Sequence, residues 1–398
     1  MNTSPRLSLA RRLDDTLAGL INKNARILFL LLVTGMALFA RWRFFPFVSG
    51  DFAGPLSSWL ATLRAEGLSA SGGSYTNYSL PYIYILYFMS WFDIPAQYAI
   101  KIPSVIADVI MAVYGAKIIM HLTGSRLKAD LCFALLMFCP TVIYNSGLWG
   151  QCDSVFTAPI IASLYYLFKG QYKKSMLLYG LAFCIKLQAV FILPFYLALA
   201  LNRVYPIYYL FTGPLLYVLL HLPALTFGAD LRYVFWQSYL KQPAHFRHIV
   251  MNAPTMWVYF PWLDVIYHRT LILMGFGFAA AGSYAAYITG VVRRNAFTAC
   301  TFFAIFVPFV LPRMHERYFF IGDVLSVMYA FYKPSRFFIP CLVVGASFLA
   351  YCPFLFDVTV IPFTTTALMM GAACAFLGLD LWRSGDKTSE ETLPVETQ

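Results

Sequence analysis

Charge is scarce in this chain. Of its 398 residues only 12% are Asp, Glu, Lys or Arg, against 60% apolar and 18% aromatic. A soluble protein of this length needs far more charge to cover its surface, so a soluble globular enzyme is excluded at the outset. Cysteine lacks pattern: Cys132, Cys139, Cys152, Cys184, Cys300, Cys341, Cys352 and Cys374 lie in or beside apolar runs, without metal or disulfide spacing. They read as small apolar residues. No P-loop occurs, which argues against an ATP-driven pump, and His315-Glu316 is not part of a His-Glu-x-x-His zinc motif. A cleavable signal peptide is also missing: Arg6, Arg11, Arg12, Lys23 and Arg26 precede an apolar run from Ile27 that lacks a small-residue cleavage site. The net charge of +11 would suit nucleic acid, but scattered basic residues on a membrane chain report topology instead. No nucleic-acid partner is expected.

What is present is a series of apolar runs, at about 27–44, 102–122, 130–148, 154–169, 175–187, 189–202, 205–226, 270–291, 297–311, 318–332, 337–356 and 359–382. They predict an all-α polytopic membrane protein with about twelve spanning helices. Lys186, Gln188 and Pro194 predict a break between the fifth and sixth runs. The apolar segment 81–92 would reach only about 18 Å as a helix, against a hydrocarbon core of roughly 30 Å. It is expected as a juxtamembrane helix with Pro81 near its first turn. With both ends inside, the inner side collects the leader, Lys117, Arg126 and Lys128, Lys169, Lys173 and Lys174, Arg203, Arg293 and Arg294, Lys333 and Arg336, and Arg383 and Lys387. Every inner loop is then basic, as the positive-inside rule asks, whereas counting 81–92 as a span breaks the pattern. The expected organisation is a basic leader over 1–26, one transmembrane domain over 27–382 with outer loops at about 45–100 and 227–268, and an inner tail over 383–398.

Polar residues gather at the outer ends of these runs. Asp51 follows the first run, and after Pro55 come Leu56, Trp59, Leu60 and Leu63 at helical spacing. That helix is expected to lie in the interface with its apolar face in lipid. Short turns carry Gln151 and Asp153, Lys186 and Gln188, and Arg313-Met314-His315-Glu316-Arg317-Tyr318. Polar groups at membrane depth are costly, so their convergence on one face points to function. A carboxylate can deprotonate a hydroxyl nucleophile, and cations can take up the charge of a departing phosphate. A lipid-linked phosphosugar would hold its tail in the bilayer and its phosphate at this depth.

Seven motifs occur in order over about 50–320: Gly50-Asp51-Phe52, Asn77-Tyr78-Ser79-Leu80-Pro81-Tyr82, Lys101-Ile102-Pro103-Ser104 with Asp108, Trp149-Gly150-Gln151-Cys152-Asp153-Ser154, Lys186-Leu187-Gln188, Asn252-Ala253-Pro254-Thr255-Met256-Trp257, and Met314-His315-Glu316-Arg317-Tyr318. With them the chain resembles the GT-C superfamily of membrane glycosyltransferases. The likeness is above all to the second mannosyltransferase of GPI-anchor synthesis and its bacterial relatives, and more distantly to dolichyl-phosphate-glucose glucosyltransferases. One departure is Leu80-Pro81, where the family often has two prolines. The resemblance implies inverting transfer of a hexose, mannose or glucose, from a polyprenyl-phosphate donor to a lipid-linked glycan or glycolipid acceptor on the periplasmic or luminal face. It implies that Asp51, which matches the family's first-loop acid, acts as base.

Each residue also has a plainer reading. Asp51 can cap the helix near Pro55. Arg317, His315 and Lys186 are candidates for the donor phosphate, yet Lys186 can instead pair with Asp108. Gln151, Asp153, Gln188, Glu316, Tyr318 and Asn252 are candidates for sugar or acceptor contacts, and Glu316 can simply neutralise Arg317. Lys101, Asp108, Tyr78 and Pro81 are left with structural or unassigned roles, and so are His245 and His248, which lack the further ligands of a metal site and whose loop is expected to contact the acceptor. Gly275-Phe276-Gly277 lies inside an apolar run and reads as close helix packing. No cofactor and no obligatory metal are expected, because side-chain cations are at hand. Two rival functions stand beside this one: a secondary transporter, which would place ionisable groups at the midplane and show repeated halves, and an O-antigen polymerase or ligase, whose large outer loop comes late in the chain. A bacterial inner membrane is the expected location, or the endoplasmic reticulum with a luminal site in a eukaryote.

Overall fold

A computed structural model describes residues 5–72, 76, 78–230, 248–263, 268–383 and 393. In chain order the helices are α1 (Pro5–Phe44), α2 (Ser57–Glu66), α3 (Leu80–Ser90), α4 (Ala96–Thr123), α5 (Arg126–Met137), α6 (Pro140–Ile143), α7 (Asp153–Phe168), α8 (Tyr172–Ile185), α9 (Leu193–Leu201), α10 (Thr212–Thr226), α11 (His268–Thr289), α12 (Ala296–Val310), α13 (Phe320–Tyr332), α14 (Phe338–Phe356) and α15 (Phe363–Arg383). Every apolar run of the sequence is thus helical, and the chain is an all-α integral membrane protein. Among the described residues six segments are long and apolar enough to cross a bilayer: Ile21–Phe44, Ala96–Thr123, Ile207–Thr226, Arg269–Ile288, Pro334–Phe356 and Phe363–Arg383. A seventh results if α5 and Pro140–Trp149, bent by 45° where Pro140 breaks the helix, form one span. The others are shorter: the 16 residues of α7 reach about 24 Å, so length does not establish twelve crossings. The basic residues of the leader lie on α1, which runs unbroken from Pro5 into the first span. The expected tail lies outside the described residues, apart from Arg383 and Leu393.

Burial follows composition. Helix α7 is apolar all round and sits at the centre against α4 and α8, with Phe156, Ile160, Ile161, Leu164 and Leu167 buried. Helix α3 has Pro81 in its first turn as expected, and buries Leu80, Tyr82, Ile83 and Leu86 against its neighbours. The expectation for α2 is overturned: Leu56, Trp59, Leu60 and Leu63 are 5% exposed or less, packed on protein and not turned to lipid. Its apolar stripe meets the apolar surfaces of α3 and α4, which serve as well as acyl chains and pack more closely. Gly275 does mark a close approach: a Cβ there would stand 2.7 Å from Pro312 and 2.8 Å from the Val310 carbonyl.

Buried charges tie the helices together. Arg41 at the end of α1 donates from Nε to Asp108 Oδ2 at 2.7 Å and from Nη1 to the carbonyls of Ala37 and Met137. Ser146 and Ser154 donate to the same carboxylate. The anticipated Lys186–Asp108 pair is therefore replaced by Arg41–Asp108. Lys101 Nζ donates to the carbonyls of Phe44, Phe45 and Phe47 at 3.2, 3.0 and 2.8 Å. A lysine suits this place, since the last carbonyls of a helix lack partners and carry partial negative charge. At the far end of the bundle, Arg336 pairs with Asp380, which also accepts from Tyr329 Oη at 2.9 Å.

Candidate active site

Past the end of α1, Lys101 holds the turn that leads to Asp51. The following helical turn is capped by Ser49, whose Oγ accepts from Phe52 N at 3.2 Å, and the Asp51 side chain caps nothing. The plain capping reading of Asp51 thus fails. Its Oδ2 instead accepts from Trp149 Nε1 at 2.8 Å and from Gln151 Nε2 at 2.5 Å. Both donors come from the turn between α6 and α7. A widened helical turn, Tyr144–Trp149, ends at Gly150, whose φ of +81° only glycine adopts without strain. The Asn145 carbonyl accepts from both Gly150 N and Gln151 N, closing the turn and aiming Gln151 at Asp51.

From the other side comes a second pair of loops. A short parallel ladder joins β1 (Val250–Met251) to β2 (Met314–His315), and Arg313 N donates to the Ile249 carbonyl. Asn252 and Arg313 both take positive φ, 55° and 63°, where each chain turns away. The ladder brings His315-Glu316-Arg317 over the Asp51 turn. Between the loops lies a cavity of about 450 Å³, lined among others by Asp51, Tyr78, Gln151, Asn252, His315 and Arg317.

Arg317 stands among three carboxylates: Nη1 is 3.4 Å from Glu316 and 3.9 Å from Asp51, and Nε is 3.8 Å from Asp153. Its guanidinium also lies 5.5 Å from the Trp149 ring. Below it, Asp153 accepts from Asn145 Nδ2 at 2.7 Å and forms a buried ion pair with Lys186. Burial pushes the Glu316 carboxyl up to about 7, against a smaller opposing pull from Arg317. Burial, with Arg317 and Lys186 nearby, holds the His315 imidazole down at about 3. At neutral pH His315 therefore offers the cavity hydrogen bonding and no charge.

Of the residues singled out in the sequence, Asp51, Tyr78, Gln151, His248, Asn252, His315, Glu316 and Arg317 line this cavity. Asp153 and Lys186 lie beneath it, 1% and 5% exposed, and neither is among its lining residues. Gln151 is tied at both ends of its amide, to Asp51 and to Tyr78 Oη at 3.0 Å, which takes the groups a sugar hydroxyl would use. Gln188 and Tyr318 line a separate apolar cavity of about 240 Å³ with Phe191, Phe276 and Arg313. Val190, Phe276 and Leu311 also line a further cavity of about 430 Å³ between α9, α11 and α12. Together these form one apolar groove from Arg313 and Tyr318 toward Tyr287. Lys101, Asp108 and Pro81 are structural. His245 and Asn77 lie outside the described residues. Sequence reasoning missed Arg41, and gave Arg313 and Trp149 no role of their own. Arg313 directly precedes the Met314-His315 motif, a signal that was available.

Among the described residues no three His, Cys, Asp or Glu side chains converge as metal ligands. No protein-family model matches the chain, and no curated protein matches it.

Proposed function

We propose that this chain is an inverting glycosyltransferase of the GT-C kind, moving a hexose from a polyprenyl-phosphate donor to a hydroxyl of a lipid-linked or surface glycan. Mannose and glucose are the favoured sugars. The observation that carries the reading is Asp51: one carboxylate oxygen is tied down, and the side chain faces a cavity shared with Arg317. In the proposed reaction Asp51 takes the proton of the acceptor hydroxyl, whose oxygen bonds to the anomeric carbon from the face opposite the phosphate. The bond from that carbon to the phosphate oxygen breaks, and polyprenyl phosphate leaves.

The leaving phosphate needs positive charge and its tail needs an apolar path. Arg317 beside the cavity and Arg313 at the head of the groove supply the first, and His315 can add an N–H. The groove along α9, α11 and α12 suits the second. Lys186, originally a candidate for the phosphate, is better read as the partner that holds Asp153. No obligatory metal is proposed. The shorter buried helices are taken to complete twelve crossings, with both ends on the inner side and the site on the periplasmic face of a bacterial inner membrane.

The test is mass spectrometry of surface and lipid-linked glycans from cells lacking the protein, expressed where it is normally made. Loss of one hexose, restored by the wild-type chain, supports transfer and names the acceptor. Unchanged glycans would reject it and turn attention to transport.

A further inference from the structure

Asp51 has two carboxylate oxygens, and they are not equivalent. Oδ2 receives Trp149 Nε1 at 2.8 Å and Gln151 Nε2 at 2.5 Å, while Oδ1 accepts no hydrogen bond among the described residues. Both donors are themselves held. Trp149 is fully buried, stacked on Phe354 with ring centroids 4.8 Å apart and edge-on to Tyr351, and its carbonyl accepts from Ser49 Oγ at 2.8 Å. The Gln151 carbonyl accepts from Ser104 Oγ at 2.7 Å. The Gln151 amide could still point either way, since its two ends have nearly the same shape. The Asp51 carboxylate decides, because it can only accept. With the amide so turned, the Tyr78 hydroxyl donates to Gln151 Oε1 at 3.0 Å, and the Tyr78 ring is packed against Trp59 and Tyr82. A reversed amide would press its carbonyl oxygen against the Asp51 carboxylate.

We infer that Tyr78 and Gln151 are positioning residues for the Asp51 base: Tyr78 braces the Gln151 amide from its oxygen end, and Gln151 with Trp149 occupies Oδ2, so that Oδ1 receives the acceptor's proton. The inference rests on the glycosyl-transfer reading. It gives Gln151 a role distinct from sugar binding. Its pull on the base is transmitted through one hydrogen bond, so the effect of Tyr78 exists only while Gln151 is present. Without the pin, the carboxylate can rotate, and the fraction of time in which Oδ1 faces the hydroxyl falls. The donor, bound through its phosphate and tail, is unaffected.

The test is a double-mutant cycle on the full-length protein in lipid nanodiscs, with transfer from a polyprenyl-phosphate hexose measured at varied donor concentration. Tyr78→Phe keeps the ring and its packing, and should lower kcat about fivefold to tenfold with donor KM unchanged, as loss of one hydrogen bond predicts. Gln151→Leu should lower kcat on the order of tenfold to a hundredfold, because its hydrogen bond goes to a charged group. In the Gln151→Leu background Tyr78→Phe should change kcat less than about twofold. Equal losses from Tyr78→Phe in both backgrounds, or a rise in donor KM in place of a fall in kcat, would overturn the relay while leaving Asp51 as base. An Asp51→Asn variant with wild-type kcat would overturn the base reading itself, and the relay with it.

Discussion

Lys186 and Asp153 form a closed ion pair beneath the cavity, with side chains 5% and 2% exposed. The pair joins the end of α8 to the start of α7, and Asp153 also stands 3.8 Å from Arg317. Lys186 is thereby committed to the protein, and Arg317 is left as the cation that reaches the cavity floor.

Removing one member of such a pair leaves the other charged and buried. Lys186→Met should cost about 3–5 kcal/mol of stability, near the lower end because Arg317 remains close to Asp153. Thermal unfolding in detergent checks this. Lys186→Met combined with Asp153→Leu should recover much of the loss, since no unpaired charge then remains. A Lys186→Met protein that melts like wild type would contradict the pairing.

Glu316 and His315 predict a pH dependence with a defined sign. Glu316 has its folded-state pKa raised from 4.5 to about 7, so its stabilising contribution is present below 4.5 and is lost as pH rises through 7. His315 has its folded-state pKa lowered from 6.5 to about 3, so its contribution is present above 6.5 and is lost as pH falls through 3. The two oppose each other between 4.5 and 6.5, and above that window only the Glu316 slope remains. Melting temperature should therefore fall between about pH 6.5 and 8 in wild type, and the fall should be smaller in Glu316→Gln. Identical slopes in the two proteins would rule this out.

The apolar groove predicts a dependence on lipid length. Ala280 lines it, and Ala280→Trp would fill part of the space that an isoprenoid chain needs. Donor KM should rise roughly tenfold for a long-chain polyprenyl donor, the worth of about 1.4 kcal/mol of lost apolar contact. A donor with a short, water-soluble chain should be used equally well by both proteins. An equal effect on both donors would mean that the tail lies elsewhere.

The helices were legible because each is a local property: an apolar run of sufficient length declares itself without reference to the rest of the chain. The candidate site was legible in part for the same reason, since Asp51, Gln151 and the His315-Glu316-Arg317 turn each interrupt or border such a run. Pairing was not legible. Arg41 meets Asp108 across 67 positions and Lys186 meets Asp153 across 33, and a sequence gives no means of choosing among buried partners at those separations. The same limit hid the packed face of α2, whose stripe of Leu56, Trp59, Leu60 and Leu63 would look alike against lipid or against α3. It also hid that Gln188, just after the break that ends α8, and Tyr318, in the turn before α13, line the apolar groove and not the polar cavity.

The most direct test of the account is the turnover of Asp51→Asn against wild type, in purified protein reconstituted with a polyprenyl-phosphate hexose and its acceptor. Asparagine keeps the size of the side chain and a carbonyl oxygen that can accept the Trp149 hydrogen bond, but it cannot take a proton from the acceptor. The account predicts a fall in kcat on the order of a hundredfold to ten-thousandfold, with the melting temperature and donor KM little changed. A folded Asp51→Asn protein that transfers sugar at the wild-type rate would contradict it.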